Sequence, residues 1–127
     1  MPGCVLRASG DEFEPQDFLA SSSFKVCNVF RKGDSRGKAS IWNTSGFTVE
    51  VSAASGSELA KQIQDALEFL RINRDEVVRL TDCARLEDIR LDFGVSRKNG
   101  FLQCNYLPPE LLKLAGALKI GIEISIY

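Results

Sequence analysis

Residues 119–127 read K-I-G-I-E-I-S-I-Y. Ile120, Ile122, Ile124 and Ile126 recur at a spacing of two, opposite Gly121, Glu123, Ser125 and Tyr127. Successive side chains of a strand point to opposite faces, so this pattern predicts a strand with one apolar face and one wet one. Just upstream, Pro108-Pro109-Glu110 opens a short helix carrying Leu111, Leu112, Leu114 and Ala115, since proline suits a first helical turn whose N–H groups lack partners anyway. Further back, Ile89, Leu91 and Phe93 alternate with Arg90 and Asp92, a second half-buried strand. Asn99-Gly100 is a strong turn dipeptide, so residues 87–104 are expected to form a hairpin whose return strand covers 101–104.

The same reasoning extends to the N-terminal half. Residues 4–9 are apolar and extended in character, ending at Gly10. Glu14, Pro15 and Asp17 predict a helix over about residues 15–22, with acidic groups at its positive end. Residues 24–30 are rich in Phe and Val and predict a strand. Residues 31–38, R-K-G-D-S-R-G-K, hold no apolar side chain and predict a loop connecting two strands. Phe47, Val49 and Val51 alternate with Thr48 and Glu50. Ser55 with Glu58 forms a capping-box signature ahead of Leu59, Ile63, Ala66, Leu67 and Leu70, which fall at helical spacing. Asn73 with Glu76 suggests a second cap and a shorter helix burying Val77, Val78 and Leu80. Hairpins and helices mixed in this order imply a single α+β domain: a largely antiparallel sheet of about five to six strands with helices packed against it.

Composition narrows the chemistry. The chain has 127 residues, 44% of them hydrophobic and 26% charged, which excludes disordered, collagenous and membrane classes. Sixteen Lys and Arg against 17 Asp and Glu give a net charge of -1, without the basic excess of a general nucleic-acid binder. There is no histidine. That removes a His-based nucleophilic triad, an imidazole base and His-ligated zinc or haem. Cys4, Cys27, Cys83 and Cys104 show no metal-ligand spacing and are expected to be reduced thiols. Residues 1–9 contain no apolar run of signal-peptide length, and Pro2 replaces the glycine that myristoylation needs. The apolar stretch 111–126 is broken by Lys113, Lys119 and Glu123, so no membrane span is expected. The expected location is the cytoplasm.

The motifs L-R-A-S-G-D near the start, E-P-Q-D, R-K-G-D, Trp42 and the ending from L-P-P-E-L-L to I-S-I-Y together resemble domain-of-unknown-function family 4279. The resemblance runs from about residue 4 to residue 127, most specifically in the Pro-Glu-Leu-Leu helix and the final strand. It implies a small bacterial protein. Two positions depart from the family pattern: Pro108 stands where serine is common, and Ser125 where aspartate is common. The family carries no established catalytic residues, so the resemblance transfers none.

The sharpest local feature is the basic loop. Arg31, Lys32, Arg36 and Lys38, with Asp34 the one acid among them, give +3 across eight residues. Gly33 and Gly37 would let backbone N–H groups converge on an anion, although no P-loop pattern is present. Trp42 follows and, with Phe30, would make an aromatic floor beside the arginines. Asp11, Glu12, Glu14 and Asp17 are expected to solvate a helix start, and Asp88 and Asp92 to be neutralised by Arg90 between them on one face. Cys27 and Cys104 lack a histidine to activate them. The reading is therefore binding rather than catalysis, with no cofactor, no metal and no catalytic residue. The preferred function is a protein-interaction module, the immunity type that neutralises a toxin being one form of it. The alternative is a binder of a small anionic ligand or nucleotide through Arg31, Lys32, Arg36, Lys38 and Trp42. A protein partner and a homodimer both stay open, depending on whether the isoleucine strand is central or an edge.

Overall fold

The computed structural model describes residues 3–127, so the reading of Pro2 lies outside the described residues. In chain order the elements are β1 (Gly3–Gly10), α1 (Pro15–Leu19), β2 (Val26–Phe30), β3 (Ser35–Gly37), β4 (Ser40–Ile41), β5 (Ser45–Ser52), α2 (Leu59–Ile72), α3 (Arg74–Thr81), β6 (Asp88–Val95), α4 (Pro109–Ala117) and β7 (Gly121–Ile126). The fold is α+β. Five strands form one sheet in the order β2-β5-β1-β6-β7, and β3 pairs with β4 in a separate two-stranded ladder. Three of the four pairings in the main sheet are antiparallel; β6 and β7 run parallel, joined by the crossover through α4.

Alternation builds the core. Cys4, Leu6 and Ala8 of β1, Phe47 and Val49 of β5, and Ile89, Leu91 and Phe93 of β6 are all buried on the same side. Against them pack Phe18 of α1, Ile63, Ala66, Leu67 and Leu70 of α2, Val77 and Leu80 of α3, and Leu111 and Ala115 of α4. Each fully buried Leu or Phe contributes about 1.5–3 kcal/mol. All four helices thus feed one core on one face of the sheet. Gln62, fully buried on α2, ties that helix to the end of β6 and the preceding turn. Its Nε2 donates to Gly94 O at 2.9 Å and Ser55 O at 3.0 Å. Ser52 Oγ donates to Asp65 at 2.7 Å and fastens the same helix to β5.

Several local expectations need correcting. Residues 87–104 do not form a hairpin: β6 ends at Val95, and the chain then runs without regular structure to α4. The reason is non-local. Both edges of β6 are already occupied, by β1 and by β7, so no return strand fits beside it. Asn99-Gly100 still makes a turn, with Gly100 at φ 126, clamped by Gln103, whose side chain accepts from Lys98 N–H and donates to Ser96 O. Phe101 and Leu102 consequently face solvent. Asn73 stands at the N-cap position of α3 as expected, but its side chain makes no capping bond there; its Nδ2 turns back to Phe69 O at 2.9 Å and closes α2. Val78 is exposed rather than buried. In the turn before α2, Glu58 accepts from Ser55 N–H, the returning half of the capping box, without a reciprocal bond from Ser55 to the helix.

Candidate functional site

The face of the sheet opposite the helices carries the polar members of each alternation. Arg7 of β1 lies directly across from Arg90 of β6, and Asp92 of β6 lies beside Glu123 of β7. Two arginines and their acceptors therefore meet over three adjacent strands. Arg7 reaches Asp92 at 3.2 Å and Glu123 at 3.4 Å. Arg90 reaches Asp88 at 2.7 Å and Glu123 at 3.0 Å. Ser125 Oγ donates to the other oxygen of Asp92 at 2.7 Å. Asp92 is only 9% exposed, so the network is partly desolvated. Hydrogen bonds from Arg90 to Asp88 first, then to Glu123, hold its guanidinium charge even more firmly than usual. Each arginine of the sheet face is thus already satisfied by carboxylates of the same sheet.

One end of this face is walled by aromatic side chains. Phe30 pairs in register with Gly46, which in turn faces Ser9. A side chain at Gly46 would collide with Ala8 O and come within 2.8 Å of the Phe30 ring, so glycine is what lets that ring lie over the sheet. Trp42, just after β4, stacks on Phe30 with ring centres 4.0 Å apart and planes 16° apart. The Arg36 guanidinium stands 4.6 Å from the Trp42 ring centre. The indole thus touches both the Phe30 ring and the Arg36 guanidinium and is only partly exposed. The ladder of β3 and β4 holds this stack upright at the rim of a concavity of about 460 Å3, floored by Arg7, Ser9, Arg90 and Asp92.

The basic loop is divided by the fold. Arg36 and Trp42 join the concave face. Arg31 instead approaches Glu14 at 3.9 Å, and Lys32 bonds Asp11 at 2.7 Å, both toward the start of α1. The hydrogen bond from Lys32 to Asp11, reinforced by that carboxylate's charge, raises the lysine's affinity for its proton. Lys38 is exposed at the tip of the ladder. Two of the acids expected to solvate a helix start therefore neutralise two of the loop's cations. Residues 31–38 are also not wholly irregular, since they include β3.

Arg7, Glu123 and Ser125 were not among the site residues expected from sequence. Their signal was present, as the polar half of each period-two strand, but only the sheet order brings those halves together. Asp88, Arg90 and Asp92 do share a face, yet Asp92 is held by Arg7 across the strands rather than by Arg90 within its own.

No group of metal-ligating side chains is present among the described residues. All four cysteines are free. Burial, aided by the charges of Asp92 and Asp65, pushes the Cys4 thiol far up, so it serves as a core side chain. No helix among the described residues is long and apolar enough to cross a membrane. The chain matches no curated protein and no solved structure. A family model described as a domain of unknown function (DUF4279) matches residues 2–127.

Proposed function

Because the chain belongs to the DUF4279 family, whose description assigns no activity, we propose from the site itself that it is a protein-interaction module binding a folded partner across the open sheet face. The carrying observation is the Phe30–Trp42–Arg36 stack standing beside a mixed-charge surface. Trp, Arg and Tyr are the side chains that most often anchor protein interfaces, and here Trp42, Arg36 and Tyr127 border one concavity. The charges at its floor are already paired with one another, Arg7 and Arg90 against Asp88, Asp92 and Glu123. They favour a partner of complementary mixed charge over a simple anion, which would have to displace Asp92 or Glu123 from the arginines. A nucleobase would need to stack on the indole, which Phe30 and Arg36 already contact. The nucleotide alternative therefore has less support. Four unpaired thiols, two of them exposed, suit a reducing compartment, and we place the module in the cytoplasm. Toxin neutralisation would be one form of this activity.

The test is capture with a photo-reactive side chain at Asn43, at the rim of the face. A partner should be crosslinked, and Trp42→Ala or Arg36→Glu should each weaken its binding by about 2 kcal/mol, roughly 30-fold. Lys38→Ala should leave the affinity within about twofold, as an exposed charge outside the stack. A partner bound equally well by all four forms would assign recognition to another surface.

A further inference from the structure

On the helical side of the molecule, α2 and the irregular segment 96–108 border a groove of about 510 Å3, the size of a small-molecule site. Its walls are chiefly Leu59, Ala60, Ile63, Leu67, Val95 and Pro108. The segment that passes over it turns Phe101 and Leu102 outward, so the apolar walls are left uncovered by the nearest apolar side chains.

Two charged residues line this groove, Lys98 and Glu110. Glu110 is paired with Arg71 in the last turn of α2. Lys98 has no carboxylate partner among the described residues; only its backbone N–H is engaged, by Gln103. The two lie at opposite ends. Ser96 N–H donates to Gly56 O at 3.0 Å, which holds the strand leading to Lys98 beside the beginning of α2. Glu110 meets the other end of that helix. From Leu59 to Leu67 the helix extends about 12 Å at 1.5 Å per residue. The groove is therefore a channel of apolar surface with an uncompensated positive charge at one end and a neutralised pair at the other.

We propose that this groove binds an amphipathic monocarboxylate of the acyl type, with its tail along α2 and its carboxylate at Lys98. A single unpaired cation beside an apolar channel matches a single anionic head on an apolar chain. The site shares no residue with the open sheet face, so the two readings stand or fall separately.

The experiment is a two-dimensional amide NMR titration of the whole chain with octanoate and octyltrimethylammonium, each below its micellar concentration, and with octan-1-ol below its solubility limit. Octanoate should bind saturably, with shifts confined to residues 56–67 and 95–110. Ala60→Trp fills the groove from an exposed position and should abolish saturable binding while the spectrum stays dispersed. Lys98→Glu should weaken octanoate by about tenfold and leave octan-1-ol within about twofold. The proposal is overturned by no saturable binding, by equal affinity for octyltrimethylammonium, or by binding that survives Ala60→Trp. Concentration-dependent dimerisation that Ala60→Trp removes would assign the groove to a second copy of the chain, and a peptide ending in Leu-Leu that binds more tightly than octanoate would assign it to a protein terminus; both overturn it.

Discussion

Asp92 is nearly buried, and two side chains hold its charge: Arg7 on one oxygen and Ser125 on the other. Removing one partner from such a group costs more than the pair contributes, because the survivor keeps its desolvation penalty. Arg7→Met should therefore destabilise the fold by about 1–3 kcal/mol in urea unfolding. Replacing Asp92 by Leu in the same chain should return much of that loss, since a packed apolar pair can match a half-buried ionic one. A double variant less stable than Arg7→Met would show that Asp92 draws its support elsewhere. The network also explains why part of the candidate site could be read from sequence and part could not. Trp42 and Arg36 are adjacent enough in the chain to be singled out together. Arg31 and Lys32 looked equivalent to Arg36, but Glu14 and Asp11 reach them through the fold, and local spacing holds no record of that.

Elements were legible where a period ran for several residues. The four isoleucines before Tyr127, the alternation through Arg90 and Asp92, and the apolar stripe of α2 each dictate one geometry and one apolar face turned to the core. The expected hairpin over 87–104 failed because a turn dipeptide specifies a reversal and not the presence of a free edge to return to. Asn73 does mark the start of α3, but its side chain serves the end of the helix before it instead of capping the one after. How the helices are fastened has a measurable consequence. Hydrogen bonds from Ser52 and then Lys61 hold the Asp65 carboxyl below its ordinary range. Arg79, with Ser23 N–H and Ser22, does the same for Glu76, which joins α3 to the segment after α1. A carboxyl whose folded pKa is depressed stabilises the fold at pH values above its unfolded pKa of about 4. That contribution is lost as the pH falls through the lower, folded value. The urea midpoint should accordingly drop as the pH falls below about 5. In the Asp65→Asn, Glu76→Gln double variant it should be lower at neutral pH and less steep below pH 5. An unchanged slope would place the acid sensitivity in other carboxylates.

At the scale of the whole molecule, the helices pack on one side of the sheet only, and its two most central pairings involve β1. That strand lies between β5 and β6, and Cys4 is matched with Phe93 across 88 intervening residues. The isoleucine strand, by contrast, is an edge, with Ile126 half exposed. A fragment of residues 1–86 lacks both β6 and β7 and leaves Leu6, Ala8 and α2 without their neighbours. It should show little ordered structure by circular dichroism and fall quickly to protease, whereas the full chain should unfold in a single transition. A protected, cooperative fragment would mean that β1, β5 and α2 are sufficient for a core. The same arrangement governs how the molecule is made. During synthesis β1 leaves the ribosome well before β6, the partner that completes it. For that interval the Cys4, Leu6 and Ala8 edge is an open template, and the speed with which the remainder follows sets how long a nascent copy can be captured by the wrong strand.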